Sequence, residues 1–348
     1  MKKRRTLGPA DLEAAILGGL LLSSGGSGMA SSVRHRKLGE EALERGRVAL
    51  VSIDEFADDE DILVSTAVGA PGAAGARTEP QDAIDAANAL IQASGAVVNG
   101  VMPGHVPGMY AWTIAAALNI PLADAATNGR AHPTQKMGGM GLASNAQHLV
   151  WQAASAAGLR AVVHGNMIKT SNVMRAAAVQ NGGLMNAVRG PFQAAFVRKH
   201  GAPRSISFCL ELGEKMRGAG LAGAVEYLKG SVLVEGTVAE NDVVYREGFD
   251  VGRIKVGDVT LGVYNEYMSA DRDGKRVATF PDFLGSLDPQ SGEPLAISEL
   301  RPGRRVAIVF ASRNNIPLGA GVFDPAVYPE VEAAMGVRLY EYMERKGQ

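Results

Sequence analysis

The chain has a single cysteine, Cys209, in 348 residues, so no internal disulfide can form and cysteine usage leaves the compartment open. Cys209 lies in an apolar, helix-like run (205–216), where a buried structural thiol is the expectation rather than a nucleophile. Excess charge is also missing. The 35 basic residues balance 36 acidic ones, which gives no basic face for nucleic acid and no pull towards an anionic membrane. Aromatic residues make up only 5%, against 43 glycines, as in a tightly turned α/β core. Metal and hydrolase signatures (HExxH, CxxC, GxSxG, the P-loop) are absent, as are internal repeats and low-complexity tracts. The N-terminal apolar run, 14–22, is nine residues long, well short of the roughly 20 that cross a bilayer. Lys2-Lys3-Arg4-Arg5 ahead of it resembles the start of a signal peptide. However, Asp11 and Glu13 directly precede the run, and Thr6, Gly8 and Pro9 mark a helix start. The expectation is a cytoplasmic protein whose first helix, about 9–22, is buried.

That helix runs into S-S-G-G-S-G at 23–28. A glycine-rich turn cradles phosphate when it follows a strand and opens a helix; this one follows a helix, so no bound nucleotide is expected. Close approach of the backbone to another segment or to a ligand is the better account, which makes Gly26 and Gly28 candidate substrate contacts. Runs at 47–53, 61–68, 96–102 and 120–123 read as strands, and 81–94 and 109–118 as helices. The first two strands are too close in sequence for a parallel crossover, so if adjacent they run antiparallel. The later strand–helix–strand–helix–strand succession implies right-handed crossovers and a largely parallel sheet. Residues 147–165 read as a hairpin turning at Gly158, and 170–180 as a helix capped by Thr170 or Ser171. Helices continue over 205–230. Short strands at 232–238, 253–256, 259–264 and 306–311 then form a β-rich region ending in a helical tail. The expected fold is α/β. An N-terminal mixed, largely parallel sheet with flanking helices (1–168) precedes a C-terminal domain (169–348), helical over 170–230 and β-rich over 231–325.

Ligands of such sheets bind beyond the carboxyl ends of the strands. The loops expected there are 69–78, 103–108 (P-G-H-V-P-G) and 124–141. The stretch N-I-P-L-A-D-A-A-T-N-G-R-A-H-P-T-Q-K-M-G-G-M-G, 119–141, gathers Asp124, Asn128, Gly129, Arg130 and His132 within nine residues behind a buried run. His105 and Asp124 are expected on the same rim. His35, His148 and His200 read as surface or core histidines, and His164 is left open.

A resemblance joins these segments. V-G-A-P at 68–71, P-L-A-D-A-A-T-N-G-R-A-H-P at 121–133 and Y-N-E at 264–266 resemble one family, as do T-F-P-D-F-L at 279–284 and L-D-P-Q-S-G-E-P-L at 287–295. That family is the S-methyl thiohydantoin desulfurase-like proteins, often encoded beside hydantoinase/oxoprolinase genes. The resemblance spans nearly the whole chain. It implies hydrolysis at a carbon of a five-membered cyclic imide or thioimide ring, and an α/β domain followed by a β-rich one. Carried over by position, Gly69-Ala70-Pro71, Asp124, Gly129-Arg130, Pro133, Asn265-Glu266 and Asp282 fall on its signature residues. The chain departs from the pattern at Ala126, where a second acid is common, and at His132 and Thr134, which replace an aromatic and an acid.

Attack of water on such a carbon needs a base and a group that stabilises developing negative charge. Asp124 or His132 could be the base and Arg130 the anion stabiliser, with His105 on the same rim. His105, Asp124 and His132 are also divalent-metal ligand types, although their spacing is no known signature. The expected partner is a small-molecule substrate, with no nucleic acid and no membrane; a homo-oligomer stays open. The competing function is that of a non-catalytic partner subunit in a hydantoinase/oxoprolinase-type complex.

Overall fold

The computed structural model of the protein describes residues 4–69, 75, 77–246 and 248–345. In the first domain β1 (Arg4–Thr6) leads to α1 (Pro9–Leu22) and α2 (Ser32–Arg45). There follow β2 (Ala49–Ser52), β3 (Asp61–Gly69), α3 (Pro80–Ser94), β4 (Val98–Pro103), α4 (Met109–Leu118) and β5 (Leu122–Ala126). After a long loop come β6 (Leu149–Ala156), β7 (Leu159–Asn166), α5 (Met167–Gln180), β8 (Leu184–Gln193), α6 (Ala194–His200), β9 (Ala202–Pro203) and α7 (Ser205–Tyr227). The first sheet has the order β1-β2-β5-β4-β3-β8-β6-β7, with β9 bridged to β5. Strands β2, β5, β4 and β3 are parallel, as the two crossover helices require, and the rest of the sheet is antiparallel.

Two details differ from the sequence expectations, and the condition attached to a third is not met. Strands β2 and β3 are not adjacent: β5 and β4 lie between them, and the short 53–60 connection crosses the sheet face with Phe56 against Gly100. Residues 184–193, expected in a helical region, form β8, buried in mid-sheet between β3 and β6. The helix α5 starts earlier than expected and is capped by Asn166, whose side chain accepts from the Lys169 N–H at 3.0 Å. The 149–166 hairpin turns as expected through Ala157 and Gly158, both at positive φ.

The second sheet, from β10 (Ser231–Asn241), β11 (Val244–Arg246), β12 (Phe249–Val256), β13 (Val259–Tyr264), β14 (Glu266–Arg272), β15 (Lys275–Thr279), β16 (Phe283–Leu287) and β17 (Arg305–Ala311), is antiparallel throughout. Its order is β15-β14-β13-β12-β10-β17-β16, with β11 on β12. Helices α8 (Tyr328–Met335) and α9 (Tyr340–Arg345) close the chain. The protein is thus a two-domain α/β structure, with a mixed sheet and flanking helices followed by a β-rich domain. Among the described residues no helix is long and apolar enough to cross a membrane.

Helix α1 anchors the first domain. Pro9 suits its first turn, and the Asp11 carboxylate accepts the Gly8 N–H at 2.9 Å. It is apolar nearly all round, and Leu12, Ile16, Leu20, Leu21 and Leu22 are all buried, the pattern of a helix enclosed on every side. It meets α7 at glycines: Gly18 faces the Cys209 carbonyl and Gly213 the Ala14 carbonyl. Cys209 is buried there, its thiol 3.4 Å from the Ala15 carbonyl oxygen. A methyl on Gly213 would stand 1.9 Å from the Ala14 oxygen, whereas one on Gly218 meets nothing within 4 Å. Gly213→Ala should therefore cost about 1–3 kcal/mol. Gly218→Ala should be neutral, or stabilise by up to about 1 kcal/mol through helix propensity. Denaturant midpoints of the two variants test this; matching midpoints would contradict the close helix contact.

Candidate functional site

At the carboxyl edge of the first sheet the ends of β3, β4 and β5 are tied together at Gly104. Its N–H donates to the Ser65 carbonyl (2.7 Å), and its carbonyl accepts from the Thr127 hydroxyl (2.6 Å) and the Asn128 N–H (3.1 Å). His105 follows directly. Its Nδ1 is 3.0 Å from the Val106 carbonyl oxygen. A carbonyl only accepts, so this contact assigns the proton to Nδ1 and leaves Nε2 as the acceptor nitrogen. His105 lines a cavity of about 200 Å³ together with Ser23, Ser27, His35, Ser65, Thr66 and Tyr110. On its exposed side Arg34 donates to the Thr78 hydroxyl (2.7 Å) and the Tyr110 hydroxyl (3.1 Å), which are themselves 2.7 Å apart.

Burial disfavours the charged imidazole throughout this region. It lowers His105, with the Val106 contact opposing. His35 is pushed down to about 4 by burial, then by the charges of Arg34 and His105. The His132 ring stands edge-on to His105, with centroids 5.8 Å apart. It is held well below the usual range by burial, then by His105, Arg189 and Arg130. Three imidazoles are therefore neutral at neutral pH on or behind one cavity wall.

The expected convergence of His105 with Asp124 does not occur. Asp124 sits in mid-β5, and its carboxylate caps α7, accepting the N–H groups of Ile206 (3.1 Å) and Ser207 (3.0 Å) and the Ser207 hydroxyl. It faces a separate opening beside Arg5 and Glu55. The candidate metal set His105, Asp124 and His132 is therefore split. Among the described residues no three His, Cys, Asp or Glu side chains are grouped to hold a metal ion.

Arg130 also lies outside the cavity. It is 0% exposed and donates to the Ser24 hydroxyl (2.7 Å) and to the carbonyls of Tyr267 (3.1 Å), Ala131 (3.2 Å) and Asp282. Its guanidinium carbon lies 4.8 Å from the Phe280 ring centre. A guanidinium so occupied binds the two domains together rather than a substrate anion.

The remaining candidates divide in the same way. Asn128 donates to the Arg130 carbonyl (2.8 Å) and accepts from the Gly319 N–H (3.3 Å), while a side chain on Gly129 would strike Pro317. Asn265, at positive φ, holds the Asp250 N–H, and Asp282 pairs with Arg313 at 3.0 Å. Gly69 lies against the Gly183 carbonyl, and Ala70 and Pro71 fall outside the described residues. Gly28 packs on Glu299 and Ala296, and Gly26 on Glu266, so the 23–28 turn approaches the second domain, with Ser23 and Ser27 facing the cavity. Glu266 is buried beside Arg130 and its Oε2 has no partner. Burial pushes its carboxyl up to about 8, against the lowering charge of Arg130.

Sequence reasoning missed His35, Ser65, Thr66, Tyr110 and Arg189. His35 lies on α2, a helix the hydrophobic pattern did not reveal, and Arg189 lies on the unexpected β8. The serine and threonine of β3 carry no motif at all. The only sequence signal for Arg189 is a lone charge inside the apolar run A-V-R-G-P.

Fold and cavity together define a two-domain α/β protein with a histidine-lined cavity at the carboxyl edge of its first sheet. Family models match residues 10–317. "S-Me-THD-like, N-terminal domain" covers residues 10–164, and "S-Me-THD-like, C-terminal domain" covers residues 165–317. The chain belongs to the S-Me-THD-like family. No curated protein matches it. The crystal structure of a protein from Chromobacterium violaceum is similar, with a TM-score of 0.70 and 19% identity over 99% of this chain and 98% of that one. At that identity the likeness shows the shared fold.

Two expectations follow for the seam behind the cavity. Arg130→Lys and Arg130→Ala should each lower the unfolding midpoint, on the order of 3 kcal/mol for Ala, because buried carbonyls lose their donors. Unchanged midpoints would contradict the bridging role. Glu266 holds its proton in the fold up to about 8, whereas the ordinary value is 4.5. Folded protein thus binds a proton that the unfolded chain releases, and stability from this group falls as pH rises from about 4.5 towards 8. Glu266→Gln should gain on the wild type over that window. Equal stability differences at pH 5 and pH 8 would mean that the carboxyl is ionised throughout.

Proposed function

We propose that the protein hydrolyses a five-membered cyclic imide or thioimide ring, of the hydantoin or thiohydantoin kind, in the His105 cavity. The observation that carries this reading is the state of His105. Its Nδ1 is committed to the Val106 carbonyl, Nε2 remains as the acceptor, and the ring is neutral in a cavity that sets hydroxyls among Leu38, Pro107, Met109 and Leu184. Membership of the S-Me-THD-like family supports the substrate class.

In this reading His105 Nε2 takes a proton from water as the water oxygen bonds to the ring carbon, and the double-bond electrons move onto the attached heteroatom. The hydroxyls of Ser65, Thr66 and Tyr110 are the cavity donors for that developing charge. Collapse breaks the bond to the ring nitrogen, or to a methylthio sulfur, and the imidazolium returns its proton to the leaving atom. The competing role as a partner subunit calls for an apolar patch beside this rim. The exposed Leu149, Leu159 and Val162 belong to the β6–β7 hairpin and do not line the cavity; beside the rim, Val33 on α2 is 72% exposed next to Arg34 and His35.

Turnover of hydantoin, thiohydantoin, S-methyl thiohydantoin and a lactam by the purified protein is the direct test. His105→Gln should lower kcat/KM by about 10²–10⁴ while leaving the fold intact. Burial lowers the His105 pKa from its ordinary 6.5, so the acid limb of kcat/KM should fall below pH 6.5. An unchanged rate in His105→Gln would place the base elsewhere. No turnover on any ring, together with tight association with a hydantoinase-type subunit, would favour the partner role.

A further inference from the structure

Behind the histidine wall lies a second polar feature that the hydrolytic reading does not use. Arg189, on β8, is 2% exposed. Its Nη1 donates to the carbonyls of Gln135 (3.1 Å) and Gly138 (3.0 Å), which places the guanidinium under the 132–138 turn. Those contacts, with the Met167 sulfur at 3.6 Å from the same nitrogen, are all the hydrogen bonds it makes among the described residues. Nε is buried without a partner. No carboxylate pairs with Arg189 among the described residues; its pKa is lowered to about 10 by burial alone.

Other polar atoms around the turn are orphaned too. His132 packs against Gly138, whose carbonyl holds Arg189, and both of its ring nitrogens are buried without partners. Both atoms of the Gln135 side-chain amide are in the same state. An unpartnered buried donor costs about 1–3 kcal/mol, and an uncompensated buried charge costs more. Core packing alone does not account for two such side chains on one turn and a third, Arg189, directly beneath it. The spare Nε/Nη2 edge of Arg189 is the planar fork that grips a carboxylate through two parallel hydrogen bonds.

We infer that Arg189, with His132 and Gln135, forms a buried carboxylate-binding recess behind the cavity wall. Arg189 supplies the charge and the paired donors. The Gln135 amide adds a further donor, and His132, edge-on to His105, links the recess to the cavity. Two sources share this chemistry: a carboxylate borne by the ring compound in the cavity, or a free small carboxylate acting as a separate ligand.

Equilibrium binding separates these sources without relying on turnover, so a failed hydrolase reading and a failed recess give different results. Hydantoin-5-acetate, hydantoin-5-acetamide, acetate and succinate are titrated calorimetrically into wild type, Arg189→Lys and Gln135→Met. With a ring-borne carboxylate, wild type binds the acetate-bearing ring roughly ten- to a hundredfold more tightly than the acetamide. With a free ligand, acetate or succinate binds by itself and the two rings bind alike. Arg189→Lys, which keeps the charge but loses the fork, abolishes the preference in the first case and the binding of the free anion in the second. Gln135→Met weakens it while the unfolding midpoint holds or rises, because an orphaned buried amide has been removed. If wild type does not discriminate against the acetamide and binds neither free anion, the inference is overturned. It is overturned equally if the preference survives in a folded Arg189→Lys.

Discussion

The Arg130 guanidinium is the contact on which the rest of the arrangement depends. A buried charge must recover its lost hydration from protein groups, and Arg130 does so with neutral oxygens drawn from several segments. Ser24 belongs to the glycine-rich turn, Tyr267 to β14 and Asp282 to the loop before β16. The same side chain therefore ties the second sheet to the turn that overhangs the cavity. Backbone bonds reinforce this seam: Tyr267 donates to Ser24 (3.0 Å), Ile297 to Gly25 (2.8 Å) and Met29 to Pro294 (2.9 Å). Glycines at 25, 26 and 28 are needed because a side chain at 25 or 28 would overlap the second domain and one at 26 would press on Ser23 and Glu266.

With that seam holding the roof, the cavity behind it is defined by burial and by positive charge. Burial opposes protonation of all three rings; Arg34 adds to this at His35, and Arg189 and Arg130 at His132, whereas the Val106 contact works against it at His105. A neutral imidazole with one nitrogen tied to a carbonyl accepts a proton at the other. Arg34, which lines the same cavity, favours negative charge developing there.

The sequence was most legible where local periodicity and packing agree. The helices at 9–22, 81–94 and 109–118, the parallel crossovers and the hairpin at 149–166 all follow from short-range pattern. Strand β8 was not legible, because its A-V-R-G-P run carries an arginine whose burial depends on carbonyls some fifty residues earlier in the chain. At the site, His105 was legible from its place after a strand, whereas Asp124 misled. A carboxylate near a strand end looks catalytic until the next helix is known, and Asp124 caps a helix that begins about eighty residues later. Arg130 misled for the same reason: its acceptors come from the other domain, which local spacing cannot anticipate.

The departure at Ala126 fits this electrostatic picture. Ala126 is fully buried and bridged to Ala202 on β9, and its carbonyl lies against Gly201. A carboxylate side chain there would be buried, at a cost far above that of a methyl group unless a cation met it. The loop after β5 thus brings no second acid to the carboxyl edge, and at 132, where the family pattern tends to an aromatic, it brings an imidazole. Within the described part of the cavity wall, the acceptor nitrogen of His105 is the group whose environment suits a base near neutral pH. Two acids of this region, Asp124 and Asp282, hold a helix end and an arginine instead, and so work as scaffold.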